Sequence, residues 1–243
     1  MSPTGSNPVA RPLLQIVLLG IAIASLGVRV LAAPLPSIGI DHILIGVPDL
    51  ERTVDGLAKA LGVRPVYGGR HPLGTHNALL SLGPNTYLEF IALQPGVAGA
   101  DIGMGDLAGL TKPVPIGWAV AAPTVTSLMA SLAPSVFALS EPESGSRTTP
   151  TGEVLQWQAF GFANETAGAP FFIVWSPETR HPSTTSPPGC KLVSLKVTTP
   201  DSKQLLALSS SLTLPVEVRD GPTVRFSVTL HCPTGPVTFR TEP

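Results

Sequence analysis

Charge is scarce in this sequence. Asp, Glu, Lys and Arg make up 13% of its 243 residues, and 15 basic against 16 acidic side chains leave a net charge of -1. No row of like charge is available to neutralise a phosphate backbone, which excludes nucleic acid as a partner. Cysteine is scarcer still. Cys190 and Cys232 are the only two, too few for a small disulfide scaffold, and neither sits in a CxxC or other zinc-ligand spacing. They are either unreactive thiols or, if the chain is exported, one disulfide. A Walker loop, an HExxH helix and a GxSxG elbow are also missing.

Hydrophobic residues account for 43%, enough for a sizeable core, and the length suits one large domain or several repeated modules. Residues 13–28 form an apolar run between Arg11 and Arg29. A helix over that run covers about 24 Å, short of the roughly 30 Å hydrocarbon core of a bilayer. The small residues that follow, at Ala32 and Ala33, suit a signal-peptidase site. Residues 1–33 are therefore read as a signal peptide, or as a membrane anchor if uncleaved, with Arg29 snorkelling. A secreted or N-terminally anchored protein follows, with a cytoplasmic one carrying an apolar N-terminal helix as the alternative. The sequon Asn164-Glu165-Thr166 is compatible with a secretory route.

From Ile38 onward the informative signal is repetition. A β-branched run, Ile43 to Val47, meets Pro48-Asp49, after which Leu50, Val54, Leu57 and Leu61 recur at helical spacing. The same order returns at Ile116 to Ala122 with Pro123, and at Leu192 to Thr199 with Pro200. The three prolines lie 75 and 77 residues apart. Short alternating or apolar runs follow each helix, as strands read. In the first unit they are 64–67, 77–82 and 86–93, in the second 136–139, 153–160 and 171–175, and in the third 216–219, 223–230 and 236–240. The fold class predicted is α+β, with repeated βαβββ modules whose curved mixed sheets surround a cavity. Residues 38–190 are expected to hold two paired modules, and 191–243 a third βαβββ-like module.

Several ordered segments carry a family resemblance. Asp41-His42-Ile43, Val47-Pro48-Asp49-Leu50, Gly68-Gly69-Arg70-His71-Pro72, Gly74 to Leu79 and Thr86 to Ile91 resemble the glyoxalase-like domain of the vicinal oxygen chelate superfamily. Ser146-Arg147-Thr148, Gly152 to Gln158, and Pro170 to Trp175 followed by His181-Pro182 resemble the middle of it, so the similarity runs from about Ile40 to about Asp201. It implies a cavity for a small oxygen-rich organic molecule. It also implies a divalent metal (Zn, Fe, Mn or Ni) held by a His of the first strand and a Glu of the last, and lyase, isomerase or dioxygenase chemistry. Carried onto this sequence, the ligands are His42 and Glu89, with Glu89 also a candidate base.

Period-2 alternation puts His42 on one face with Leu44 and Gly46, and Glu89 on one face with Tyr87 and Ile91. The pattern departs from the family elsewhere. In the second module Gly117 takes the His position and Val174 the Glu position, and in the third Ser194 and Thr238 do. His76 is a third ligand only if its strand faces the cavity. His71 reads as turn chemistry, His181 and His231 as surface or satisfied side chains, and Trp118, Trp157 and Trp175 as core. The competing reading of His42 and Glu89 is a hydrogen bond between them across the sheet. At the level of function it is a metal-free binding or sequestering protein. The expected partner is a small-molecule ligand. The reading leaves room for a homodimer, and for membrane contact only through an uncleaved N-terminal segment.

Overall fold

The computed structural model describes Met1 and residues 38–98, 105–132 and 137–241. The 13–28 run and the cleavage site read after it lie outside the described residues. No helix among the described residues is long and apolar enough to cross a membrane.

Among the described residues, twelve strands and four helices follow in order: β1 Gly39–Gly46, α1 Leu50–Leu61, β2 Val66–Arg70, β3 Thr75–Gly83, β4 Thr86–Leu93, β5 Val114–Ala121, α2 Val125–Ser131, β6 Glu143–Thr148, β7 Val154–Phe160, β8 Phe171–Trp175, α3 Pro182–Thr185, β9 Lys191–Thr199, α4 Ser202–Ser211, β10 Val216–Asp220, β11 Arg225–Cys232 and β12 Gly235–Arg240. The first eight strands close into a barrel in the order β1-β4-β3-β2-β6-β7-β8-β5. Each half repeats one arrangement, its first strand parallel to its last (β1 with β4, β5 with β8). Antiparallel pairing of β1 with β5 closes one seam. The other seam, between β2 and β6, is joined at a single register pair, Arg70 with Thr148. The fold is thus α+β, with curved sheets of βαβββ modules around a cavity.

The helices form where the sequence caps them. Asp49 accepts the Arg52 backbone N–H at 2.9 Å, and Gly62 ends α1 in the left-handed region at φ +70°. Leu50, Val54, Leu57 and Leu61 are buried, one stripe of the helix. Truncating one of them, Leu61 for instance, to Ala would cost about 2–5 kcal/mol. In α2, Thr124 and Ser127 form a reciprocal capping box. Asp201 does not cap α4 and instead accepts the Ala167 N–H at 2.7 Å.

One expectation is corrected. The strand read at 136–139 is not formed at its described residues beyond an isolated bridge from Leu139 to Phe162. The strand is Glu143–Thr148, a polar ESGSRT stretch with no apolar alternation to announce it. In the third unit the element order is strand, helix and three strands, but the sheet order is β10-β9-β11-β12. The first strand lies inside that sheet, parallel to the second, whereas in each barrel half it lies beside the last. This sheet gives Leu195, Val197, Val228, Leu230 and Phe239 to the same core as α1 and the barrel strands. Phe239 meets Phe90 edge to face at 6.0 Å. A disulfide joins Cys190 to Cys232, across the start of β9 and the end of β11.

Candidate functional site

β1 is covered on both faces, so its polar residues need partners inside the protein. Adjacent residues of a regular strand point to opposite faces. Here the β1–β5 register shifts between Ile40 and His42, leaving Asp41 as the extra residue of a bulge. Bulges re-aim side chains. The Asp41 and His42 side chains accordingly meet, with His42 Nδ1 2.6 Å from Asp41 Oδ1. Asp41 Oδ2 also accepts from Trp175 Nε1 and from His181 Nε2, both at 2.9 Å. His181 sits at the start of α3, where its Nδ1 accepts the Ser183 N–H.

Burial alone would raise the Asp41 carboxyl. Hydrogen bonds from His181 and His42 outweigh it and hold the pKa at about 2. An ionised carboxylate can only accept, so both imidazoles must donate to it. This leaves Nε2 as the ring atom turned toward Glu89. It lies 3.6 Å from Glu89 Oε2, too far for a hydrogen bond. The Tyr87 ring stacks on His42 at 4.7 Å and 22°, and Phe171 meets it edge-on at 5.4 Å.

Glu89 stands on β4 between Tyr87 and Ile91, and all three line the cavity. Its Oε1 accepts from Asn77 Nδ2 at 2.8 Å and lies 3.9 Å from His71 Nε2. Burial pushes this carboxyl up, but His42, His71, the Asn77 N–H and Arg147 together hold it below the usual range. Asn77 holds the carboxylate at a cost: its Oδ1 is buried without a partner. His71 Nδ1 lies 2.8 Å from Thr75 Oγ1. Its pKa is lowered, chiefly by burial.

The cavity between these residues measures about 410 Å³. Trp157, Trp175, Phe160, Phe171 and Ile173 form its apolar wall, and Arg147, Glu141 and Glu143 reach it from the β6 side. A larger hollow of about 680 Å³, lined by Ile38, Cys190 and Pro215 among others, contains none of these titratable groups. The smaller one is therefore the candidate site.

His42 and Glu89 come together in this cavity, but they are not hydrogen-bonded to each other as the competing reading required. His71 is a wall residue rather than turn chemistry alone, and Trp157 and Trp175 line the space while packing on a small buried cluster of Ala119, Ala121 and Ile173. Trp118 does belong to the core, donating its indole N–H to the Gly168 carbonyl. His76 faces the other side of β3, beside Tyr67, and is no third ligand. Val174 packs on the core, so the inward positions of β8 are Phe171, Ile173 and Trp175. Ser194 and Thr238 flank Thr229 in the third sheet, outside the cavity. Asp41, His71, Asn77 and Arg147 were missed as site residues. Only Asn77 had a signal, since alternation from Thr75 puts it on the face of Glu89.

A divalent metal has a partial donor set here. Two bonds of about 2.1 Å can span the 3.6 Å between His42 Nε2 and Glu89 Oε2. Donation of the other ring N–H to a carboxylate is the usual support of a ligating histidine. Among the described residues, no group of three or more His, Cys, Asp or Glu side chains is arranged to hold a metal ion. Two donors fit a site whose remaining positions belong to water or to a ligand's oxygens.

Comparison with known proteins agrees with this architecture. Residues 40–213 match the family described as glyoxalase-like domain. No curated protein matches. A hypothetical protein from Staphylococcus aureus superposes with a TM-score of 0.59 at 14% identity, over 85% of this chain and 99% of its own, a likeness of fold. An Mn(II)-bound glyoxalase from Novosphingobium aromaticivorans gives 0.42 at 12% identity, over 83% and 81%. Methylmalonyl-CoA epimerase from Mycobacterium tuberculosis gives 0.39 at 17%, over 57% and 87%.

Proposed function

The chain belongs to the glyoxalase-like domain family of the vicinal oxygen chelate superfamily, and from that membership we propose that its barrel cavity binds a small oxygen-rich organic molecule with His42 and Glu89 as the reactive pair around a divalent metal ion. One observation carries the reading. Asp41 takes the Nδ1–H of His42, so the ring turns Nε2 toward the ionised Glu89 carboxylate 3.6 Å away in a water-poor interior. A metal ion placed between them would take Nε2 and the carboxylate as two of its ligands. The ion would act as a Lewis acid on the oxygens of the bound molecule.

The protein's own groups do the rest. Asp41 fixes the His42 tautomer, and Trp175 and His181 fix Asp41. Asn77 orients Glu89, whose depressed pKa keeps it ionised and able to accept a proton. The aromatic wall gives the cavity an apolar surface beside its polar residues. Chemistry of the lyase or isomerase kind follows most directly from an ionised base beside a polarised oxygen.

The absence of a third protein donor among the described residues favours a second reading, a metal-free binding protein that keeps the cavity without turnover. Calorimetric titration with Zn, Mn, Ni and Fe(II) separates the two. Wild type is expected to bind one equivalent, and His42→Ala and Glu89→Gln are each expected to abolish it with the fold retained. A flat wild-type titration leaves only the metal-free reading.

A further inference from the structure

The cavity holds a cation that makes no direct ion pair with the reactive pair. Arg147 points inward from β6 and is 4% exposed. One guanidinium nitrogen, Nη1, donates to the Gly68 carbonyl across the β2–β6 seam. Among the described residues no carboxylate lies within ion-pairing distance of it. Its Nε and Nη2 donate to none of the described residues, yet neither is among the buried polar atoms left without a partner. They therefore face open space: Arg147 lines the cavity with His71, Asn77, Glu89 and Trp157, and also a second hollow with Tyr67, Leu79 and Leu155. A guanidinium taken out of water without a counter-ion is expensive, and an anionic ligand would supply one.

From this we propose that Arg147 anchors a carboxylate, so that the ligand of the cavity is a small oxygenated carboxylic acid, its acid group on β6 and its other oxygens toward His42 and Glu89. The proposal rests on the cavity being the ligand site, as argued above. Arginine suits the task because its planar fork meets a carboxylate with two parallel N–H donors, which a lysine cannot do. A single cation balances a single negative charge. Glu89, Glu141 and Glu143 already make the cavity acidic, so a phosphate monoester, nearer two negative charges, is disfavoured. Gly68 makes the placement feasible. A Cβ built there would lie 2.7 Å from Arg147 Nη1 and 2.4 Å from Asn77 Oδ1, so the bare backbone lets the guanidinium lie flat against β2.

A seam staple would use Arg147 for stability alone, and matched probes distinguish that role. Lactate and pyruvate are titrated calorimetrically against lactamide and pyruvamide, with glycerol phosphate as the dianion, each with and without Mn(II). Wild type is expected to bind the carboxylates at least about 10-fold tighter than the amides, which corresponds to about 1.4 kcal/mol. Arg147→Gln should bring that ratio close to one. Where Arg147→Gln fails to fold, Arg147→Lys carries the test, and the ratio should fall at least about threefold because charge survives and the fork does not. A wild-type ratio near one, a ratio unchanged in the variants, no binding of any probe, or glycerol phosphate binding more tightly than lactate would each overturn the proposal. Probes indifferent to charge but weakened by Trp157→Ala would overturn the anchor and leave the cavity as ligand site. Probes that no cavity variant affects would overturn both.

Discussion

Asp41 accepts three N–H groups in the protein interior, from His42, His181 and Trp175, and this arrangement ties stability to pH. Its carboxyl stands at about 2 against an ordinary 3.8. Because the folded pKa is the lower one, the carboxylate's contribution is fully present above about pH 4 and is lost as pH falls toward 2. The gap is worth about 2 kcal/mol. In chelator-treated protein, urea unfolding across that window should show a steeper loss for wild type than for Asp41→Asn. At pH 7 the variant should be less stable by about 2–4 kcal/mol, because the Asn amide presents a donor to at least one of the three donors. Equal acid sensitivity in the two proteins would remove Asp41 from this role. His42 and Glu89 were legible in the sequence because they stand in two of the segments, Asp41-His42-Ile43 and Thr86 to Ile91, that resemble the glyoxalase-like domain. Asp41 was not, since the alternation that locates His42 sends its neighbour to the opposite face, and the bulge that cancels this leaves no mark in composition.

At the scale of elements, the barrel closes where β2 and β6 meet, and glycine permits it. Gly69 has φ +140°, and a Cβ there would lie 2.3 Å from the Thr148 carbonyl oxygen, a backbone atom that cannot swing aside. Gly83 has a similar φ of +133° with nothing within 4 Å of a built Cβ. Alanine at 83 should therefore cost only backbone strain, about 1–2 kcal/mol. Gly69→Ala should cost about 2 kcal/mol more, from overlap as well as strain. Urea midpoints of the two variants check this, and equal losses would mean that the seam is not tight. Strands rich in β-branched residues, such as β1 and β4, were readable from their apolar pattern. β6 was not. ESGSRT buries only Arg147, its inward positions otherwise being Gly145 and the exposed Glu143, so the strand carrying the cavity's arginine looks like a loop.

For the whole molecule, the Pro-led period of the sequence located all three units, but pairing order is a tertiary property that the period does not encode. The third unit shows this: its first strand sits inside the sheet, yet its linear order of elements is that of the barrel halves. The Cys190–Cys232 disulfide staples that unit over a separation of 42 residues. Reducing it, or replacing both cysteines with Ser, should lower stability by about 2–4 kcal/mol in urea unfolding, and an unchanged midpoint would make the bond incidental. Disulfides persist in oxidising compartments, and we propose that the chain is exported and matures near Ala33 or Pro34. N-terminal sequencing of native protein starting at Met1 or Ser2 would contradict this. The account as a whole turns on what lies between His42 and Glu89, and the most direct measurement is an anomalous-scattering map from crystals of the Mn(II)-treated protein. It should show one peak within about 2.3 Å of both His42 Nε2 and a Glu89 oxygen. A map with no peak at that point, under conditions that load manganese elsewhere or not at all, would contradict the metal-centred reading.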